Sequence, residues 1–392
     1  MDPVSQGLLG AVSAQLGFRQ KIGRDTTYIA ALAGMSPDLD ILAKPIMKML
    51  GYSTDALTLM RTHRGLSHSL FMVPIIALPI ALSWWLIRNR IIRKRHEKLA
   101  TPSLNNPEVL YDEANSEGNS GKVSAKPYLA PFWLLYFCIF VATGTHTLLD
   151  YCTSYGTQLL APFSATRFAL NAIAVVDIFY TGLLVLILLT CYLIRRKGTP
   201  ASNRTSTIVG WVGFILSIIY IAGGYAINQS HKINFEVMYS HSEQNENIER
   251  VEAYPAIGSL MLWRVVVKTD KNWRTYRVHR LGGKPRLEKI AICEKNDLVE
   301  KTKLHPDYKT FAWFSDDLIR FDVFKLPKYT IVRACDMRYG TKTESLDSMW
   351  SLDFYYDSKT GKYLRHHLSS PRNRKNIFDY PKKIINDMFD FK

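Results

Sequence analysis

The sequence predicts an α-helical integral membrane domain of about six membrane segments, followed by a β-rich soluble domain. Two observations support this prediction. Long apolar runs are confined to residues 1–230, whereas residues 231–392 are charged and rich in aromatic side chains. The apolar runs alternate with short loops in which Lys and Arg cluster, and this pattern encodes membrane topology. We therefore divide the chain into a membrane domain, 1–230, and a second domain, 231–392.

Four segments are long and apolar enough to cross a bilayer, since a spanning helix needs about 20 residues. They are residues 70–87, 129–149, 173–194 and 208–227. Two earlier apolar stretches, 4–18 and 26–35, are short. For these we expect either tilted helices inside the bundle or a re-entrant pair that lines a cavity.

Basic residues set the orientation of these segments. The loops 19–24, 88–98 and 195–204 are rich in Lys and Arg, so the positive-inside rule places them in the cytoplasm. Both termini then lie outside, and residues 231–392 form an extracytoplasmic domain. Residues 101–126, rich in Asn, Ser, Gly and Pro, are expected to form a flexible cytoplasmic loop. Despite the net charge of +16, nucleic-acid binding is not expected, because the basic residues of the membrane domain cluster in these loops.

This topology brings the ionisable residues of the apolar half to the outer end of the bundle. The topology is assigned from Lys and Arg alone, so the gathering of His and Asp at one end is an independent result. Ionisable groups in apolar helices are costly and mark functional sites by default. The residues are Asp2, Asp38, Asp40, His63, His68, His146, Asp150 and Asp177.

Two loop motifs supply candidate metal ligands. Asp38 and Asp40 follow a proline that ends or kinks a helix, and two carboxylates at this spacing suit a divalent cation. Taken alone, that motif also fits a polar turn with Asp40 as a helix N-cap. His63 and His68 lie five residues apart, and Gly65 allows a turn that would bring both imidazoles together. The alternative is a pair of histidines at the membrane interface.

A third motif lies within an apolar helix. His146 and Asp150 are four residues apart and share one helix face, the usual arrangement for two ligands of one metal. The alternative is a His–Asp hydrogen bond at the helix end. Arg64 and Arg167 suit an anionic substrate. Asp177 needs a partner within its apolar segment, and Arg167 is the obvious one, so an ion pair is as plausible there as a role in the reaction.

Together these motifs resemble the YdjM/YbcI family of membrane-bound metal-dependent hydrolases, also labelled LexA-binding, inner-membrane-associated hydrolases. The matching stretches are MDPVSQ at 1–6, PDLD at 37–40, HRGLSHSL at 63–70, HTLLD at 146–150, YGTQ at 155–158, PFS at 162–164 and VVD at 175–177. The resemblance covers about residues 1–230 and implies a bacterial inner-membrane protein with a metal-dependent hydrolase site. Shorter relatives carry a His where Gln6 stands. Because glutamine is a poor ligand, we expect Gln6 to bind substrate.

The resulting hypothesis is a hydrolase at the outer membrane interface with one or two divalent metals. Its predicted ligands are Asp38, Asp40, His63, His68, His146 and Asp150. Imidazole and carboxylate together favour Zn²⁺, Mn²⁺ or Fe²⁺. Arg64 and Arg167 would steady the developing anion, and Gln6 and Asp177 would bind substrate. The expected partners are membrane lipid and a phosphoester or lipid-linked substrate. The alternative is a divalent-metal transporter or a non-catalytic metal-binding membrane scaffold.

After residue 230 the pattern becomes that of strands. Residues 260–267, 329–339 and 350–356 are strand-like, and 357–361 predicts a hairpin turn. The aromatic side chains of this region are expected in its core. Cys293 and Cys335 would lie in an oxidising compartment and could form a disulfide.

Overall fold

The computed structural model describes residues 1–52, 54, 57–100, 130–241, 247–256, 261–280, 285–339 and 348–369, the side chains of 43 and 95–100 excepted. The predicted flexible loop 101–126 lies outside these residues. Within them, the first part of the chain is helical, and the second part contains two antiparallel sheets.

The N-terminal part consists of short helices, α1 (Pro3–Ala14), α2 (Phe18–Ile22), α3 (Thr26–Met35), α4 (Ala43–Met49) and α5 (Thr58–Thr62). With 12 and 10 residues, α1 and α3 measure about 18 and 15 Å, against a hydrocarbon core of about 30 Å. They are therefore too short to span the bilayer as straight helices. The expected count of about six membrane segments is not confirmed.

Two glycines let α1 and α3 approach closely. A Cβ added at Gly34 would lie 2.7 Å from the carbonyl oxygen of Gln6, and one added at Gly10 would collide with the carbonyl oxygen of Ala30. Neither position has room for a side chain unless the backbones move apart. This contact brings the C-terminal end of α3 against the first turns of α1.

Among the described residues, four helices are long and apolar enough to cross a membrane, as the sequence predicts. They are α6 (Met72–Ala100, of which Met72–Lys94 is the candidate span), α7 (Phe132–Tyr151), α8 (Ile178–Arg195) and α9 (Pro200–Ser240). In α6, α8 and α9 only 22% of the apolar window is buried, which leaves their outer faces available for contact with lipid. Half of the apolar window of α7 is buried, so this helix lies at the centre of the bundle.

The second part of the chain contains two four-stranded antiparallel sheets in which sequential strands are neighbours. The first sheet consists of β1 (Ile248–Pro255), β2 (Leu262–Thr269), β3 (Asn272–His279) and β4 (Arg286–Ile292). Helices α10 (Asp297–Lys303) and α11 (Pro306–Phe314) come next, and the second sheet consists of β5 (Ile319–Lys325), β6 (Tyr329–Asp336), β7 (Ser351–Asp357) and β8 (Tyr363–Ser369). The predicted β-rich architecture is confirmed, including the turn at 357–361, where Gly361 has φ +63°. The two helices were not predicted.

Two buried clusters join the second part to the membrane part. The C-terminal turns of α9 enter the core of the first sheet, where Phe235 and Tyr239 pack against Trp263. Leu57 and Met60, around α5, are buried in the core of the second sheet with Phe314. α9 thus continues without a break past residue 230 and connects the two parts as one helix.

The five cysteines are free. Cys293 lies near the carbonyl oxygen of Thr269, and Cys335 contacts Asp322 and Arg320. The structure therefore does not contain the Cys293–Cys335 disulfide that the sequence allowed.

Candidate metal centre

Four of the six predicted ligands meet at one end of the bundle. Asp38 lies in the 3₁₀ segment Ser36–Leu42, directly after α3, and His68 ends the 3₁₀ segment Leu66–His68, just before α6. His146 and Asp150 project from the last turns of α7, one turn apart. One ligand atom from each of these four residues lies within 4.8 Å of the other three.

The distances between these atoms fit a single metal ion. The two Nε2 atoms of His68 and His146 are 3.0 Å apart. Asp38 Oδ1 lies 3.3 Å from His68 Nε2 and 3.7 Å from His146 Nε2, and Asp150 Oδ2 lies 3.3 and 3.6 Å from the same two atoms. A tetrahedral ion with bonds of about 2.1 Å separates its ligands by about 3.4 Å. The buried cluster is therefore shaped to hold a divalent metal.

Hydrogen bonds orient both imidazoles. The Nδ1 of His146 donates to the carbonyl oxygen of Gly34 at 2.6 Å. The Nδ1 of His68 lies 2.9 Å from Ser67 Oγ and 3.3 Å from Asp40 Oδ2. With Nδ1 engaged as a donor, each ring directs Nε2 to the centre as the nitrogen that would bind a metal, as metal-binding histidines generally do.

Asp40 and His63 lie one layer outside the four-residue cluster. Asp40 accepts hydrogen bonds from His63 Nδ1 at 2.8 Å, from the backbone N–H of Arg64 at 3.0 Å and from Ser67 Oγ at 2.8 Å. Its carboxylate thus orders the loop that carries His63 and His68. The structure places Asp40 and His63 beside the four-residue cluster rather than in it. Asp38 and Asp40 leave the 3₁₀ segment toward different partners.

Charge pairing dominates the electrostatics around the centre. Burial lowers the pKa of His68, but hydrogen bonds with Asp150, Asp38 and Asp40 outweigh it and raise the pKa to about 10. Burial also raises the pKa of Asp40, yet hydrogen bonds from His63 and His68 leave it well below its usual range. The cluster without metal therefore holds a proton on His68 at neutral pH.

Arg64 holds Asp150 in place. Its Nε lies 2.9 Å from Asp150 Oδ2, its Nη1 donates to Thr153 Oγ1 at 2.7 Å, and its guanidinium carbon lies 4.7 Å from the centroid of the Tyr155 ring. The residue is buried and has φ +56°, a strained value for a residue with a side chain. This strained turn places the guanidinium directly behind a candidate ligand.

Comparison with known families assigns the chain to one of them. The model of the YdjM inner membrane protein family matches residues 1–230. The chain belongs to the YdjM inner membrane protein family. Comparisons with curated proteins and with solved structures gave no match. YdjM membership and the four apolar helices identify an inner-membrane protein with a cluster that can hold a metal ion.

Gln6 of α1 lies within the centre. Its Nε2 is 2.8 Å from Asp150 Oδ1 and 3.3 Å from His146 Nε2, while its buried Oε1 has no hydrogen-bond partner among the described residues. The α-amino group of Met1 also contacts Asp150. The O and N atoms of a glutamine amide are interchangeable by a flip. After such a flip, the amide oxygen would face the cluster.

Arg167 and Asp177 lie elsewhere in this YdjM-family fold. Arg167 donates to the carbonyl oxygens of Gly156, Tyr155 and Met60 at 2.7, 3.2 and 3.4 Å. Asp177 caps α8 and accepts a hydrogen bond from the Tyr220 hydroxyl at 3.0 Å. Of the two roles left open for Asp177, the ion pair with Arg167 is not formed, because the helix N-terminus and a tyrosine supply the partners of Asp177.

The region beyond the YdjM match covers the centre from one side. Arg338, which pairs with Asp336 at 2.8 Å, donates to the carbonyl oxygens of Ser154 and Tyr155 at 3.4 Å. The ring of Phe314 packs against Tyr155 with centroids 5.2 Å apart. Sequence reasoning missed these contacts, because nothing in residues 231–392 indicates which end of the bundle they touch.

A second group of ligand-type side chains lies between α11 and β8. His305 Nδ1 accepts from the backbone N–H of Asp307 at 3.2 Å, Asp307 accepts from Arg61 at 3.3 Å, and His366 Nδ1 lies 2.9 Å from the Tyr363 hydroxyl. These bonds within the chain already account for the group.

Proposed function

We propose that this YdjM-family protein is a metal-dependent hydrolase with its centre at the extracytoplasmic face of the inner membrane. The observation that supports it best is the set of ligand atoms from Asp38, His68, His146 and Asp150, in which the imidazole–imidazole and imidazole–carboxylate distances are 3.0–3.7 Å. Two imidazoles and two carboxylates suit Zn²⁺, Mn²⁺ or Fe²⁺. Such an ion, when bound, supplies a Lewis acid and lowers the pKa of water toward neutrality.

His63 is the best candidate for proton transfer. Its Nδ1 donates to Asp40 at 2.8 Å, which fixes the tautomer with a free Nε2, and its ring packs edge-on against Tyr155 at 5.4 Å. Its ring centroid lies 5.8 Å from that of His68, so it stands next to the ligands. With 16% of its side chain exposed, it can exchange protons with solvent. A histidine oriented by a carboxylate is the usual form of a general base.

Arg64 acts as a positioning residue in this proposal. Its Nε contact with Asp150 at 2.9 Å holds the carboxylate against the two imidazoles. Its positive charge would also offset the negative charge of the carboxylates, which favours the binding of an anionic substrate.

The orientation is inferred from the basic loops. The Lys and Arg residues at 195–204 lie at the junction of α8 and α9. The centre, at the C-terminal end of α7, and the sheets, which follow α9, both lie at the other end of the bundle. The positive-inside rule then assigns the centre and the sheets to the extracytoplasmic side. A phosphoester or a lipid-linked ester is the substrate class that suits a centre at this level of the bilayer.

One observation favours a second candidate, a metal-binding scaffold without turnover. Four protein ligands already complete a tetrahedron, which is typical of structural metal sites, whereas catalytic sites keep one position open. A scaffold would bind metal equally well and hydrolyse nothing.

Metal analysis and turnover on the full-length protein separate the two candidates. We expect Asp38→Ala to lose metal and turnover together, with Asp25→Ala as the control, because Asp25 pairs with Arg88 at 3.1 Å near the opposite end of α3. His63→Gln should keep the metal and lose at least about a hundredfold of the turnover of a phosphoester panel. Metal bound without any turnover would favour the scaffold, and wild-type protein without metal would refute both.

A further inference from the structure

Two cavities adjoin each other on the side of α7 that faces α9. The first, of about 390 Å³, is an apolar crevice between α7 and α9 with Leu9 of α1 and Tyr180 of α8 among its walls. The second, of about 260 Å³, lies between the loop after α7 and the first sheet. Leu170 and Tyr225 line both cavities, so the apolar space continues into the second one.

The apolar crevice lies within the spanning region of the bundle. Leu148 of α7 and Ile218 of α9 line it and are more than half exposed on the outside of the protein. The crevice is therefore open to the hydrocarbon core, where the available occupant is an acyl chain. Its volume lies within the range of ligand pockets, about 300–1,000 Å³.

The second cavity is lined by cations whose charge is not fully balanced. Of its carboxylates, Glu252 pairs with Lys232 at 3.0 Å, and Asp316 pairs with Arg250. Arg167 also lines it but bonds only to carbonyl oxygens among the described residues, and its buried Nε has no hydrogen-bond partner there. A largely buried guanidinium without a carboxylate partner is costly, and an anion would compensate it.

We infer that these two cavities together bind one phospholipid, with an acyl chain between α7 and α9 and the phosphate at Arg167. A phosphate oxygen would accept a hydrogen bond from the Nε–H of Arg167, which has no partner among the described residues, and the phosphate charge would offset that of the guanidinium. Because Leu170 and Tyr225 line both cavities, the acyl chain and the phosphate of one molecule can occupy them side by side. This site uses neither the metal ligands nor His63, so it does not depend on the proposed hydrolysis.

Lipid retention by the purified full-length protein tests the inference. The detergent-solubilised protein is incubated with dioleoyl phosphatidylglycerol or with dioleoylglycerol, and retained lipid is counted by native mass spectrometry. We expect one phosphatidylglycerol per chain, retained in preference to dioleoylglycerol by about tenfold or more, because the latter lacks the phosphate.

Two variants and one control variant locate the site. Ala222→Phe fills the crevice from an exposed position and should reduce retention by about tenfold, whereas Val212→Phe, on the same helix but outside both cavities, should not. Arg167→Met should remove the preference for phosphatidylglycerol. Equal retention of the two lipids by the wild type, or equal retention by the two phenylalanine variants, would overturn the inference.

Discussion

We expect Asp40 to orient the metal ligands without binding the metal itself, and Asp40→Asn tests this role. The carboxylate accepts three hydrogen bonds of 2.8 to 3.0 Å and lies 3.3 Å from His68 Nδ1. The amide keeps the shape and one acceptor oxygen but loses the charge. Residues that orient metal ligands contribute about 10- to 100-fold in metal affinity, or about 1.4 to 2.8 kcal/mol. We expect Asp40→Asn to weaken metal binding by that factor without abolishing it.

The assay is a competition titration of chelator-stripped full-length protein against a fluorescent zinc chelator. Asp150→Asn, which changes a residue of the four-atom cluster, should lose stoichiometric binding. Asp25→Asn should bind as the wild type does, since Asp25 accepts from Trp84 and Arg88 near the other end of α3. Wild-type affinity in Asp40→Asn would refute the orienting role. A loss as complete as that of Asp150→Asn would make Asp40 a ligand, as the sequence hypothesis had it.

Three further outcomes are expected. Gly34→Ala should lower the free energy of unfolding by about 1–3 kcal/mol and weaken metal binding, because its Cβ would lie 2.7 Å from the Gln6 carbonyl oxygen. The control Gly182→Ala, which has open space around it, should leave the thermal unfolding temperature nearly unchanged. Gln6→His should tighten metal binding by about tenfold, since an imidazole replaces a poor ligand beside Asp150; unchanged affinity in the same titration would show that position 6 does not reach the ion. Because the pKa of His68 is raised to about 10, a metal ion must displace a proton from it. The metal affinity should therefore rise by about tenfold per pH unit from pH 6 to 8, and a pH-independent metal affinity would contradict a protonated His68.

Much of this arrangement could be predicted from the sequence, for specific physical reasons. The long apolar helices are expected from hydropathy, because no polar backbone can remain unpaired in lipid. His146 and Asp150 are four residues apart in such a helix, and their cost in that environment marks them as a site. Asp38 and His68 were selected together with Asp40 and His63, from two loop motifs that the predicted topology brings to the same end of the bundle.

The division into inner and outer layers could not be predicted. Asp38 and Asp40 are identical side chains two residues apart, and only the path of the 3₁₀ segment determines that one faces His146 and the other His63. In the first sheet, only β2 corresponds to a stretch predicted as a strand, 260–267. β3 was not predicted, because it is buried along nearly its whole length and shows no alternation of buried and exposed residues.

The attachment of α5 to the second sheet makes the family domain inseparable from the C-terminal sheets of this protein. Leu57 and Met60 are fully buried there, a few residues before the loop that carries His63 and Arg64. A fragment cut at residue 230 would expose this apolar surface and leave that loop without its support. The family match ends at residue 230, whereas the buried contacts of α5 and α9 extend into the sheets, so we expect the full-length chain to be more stable than such a fragment.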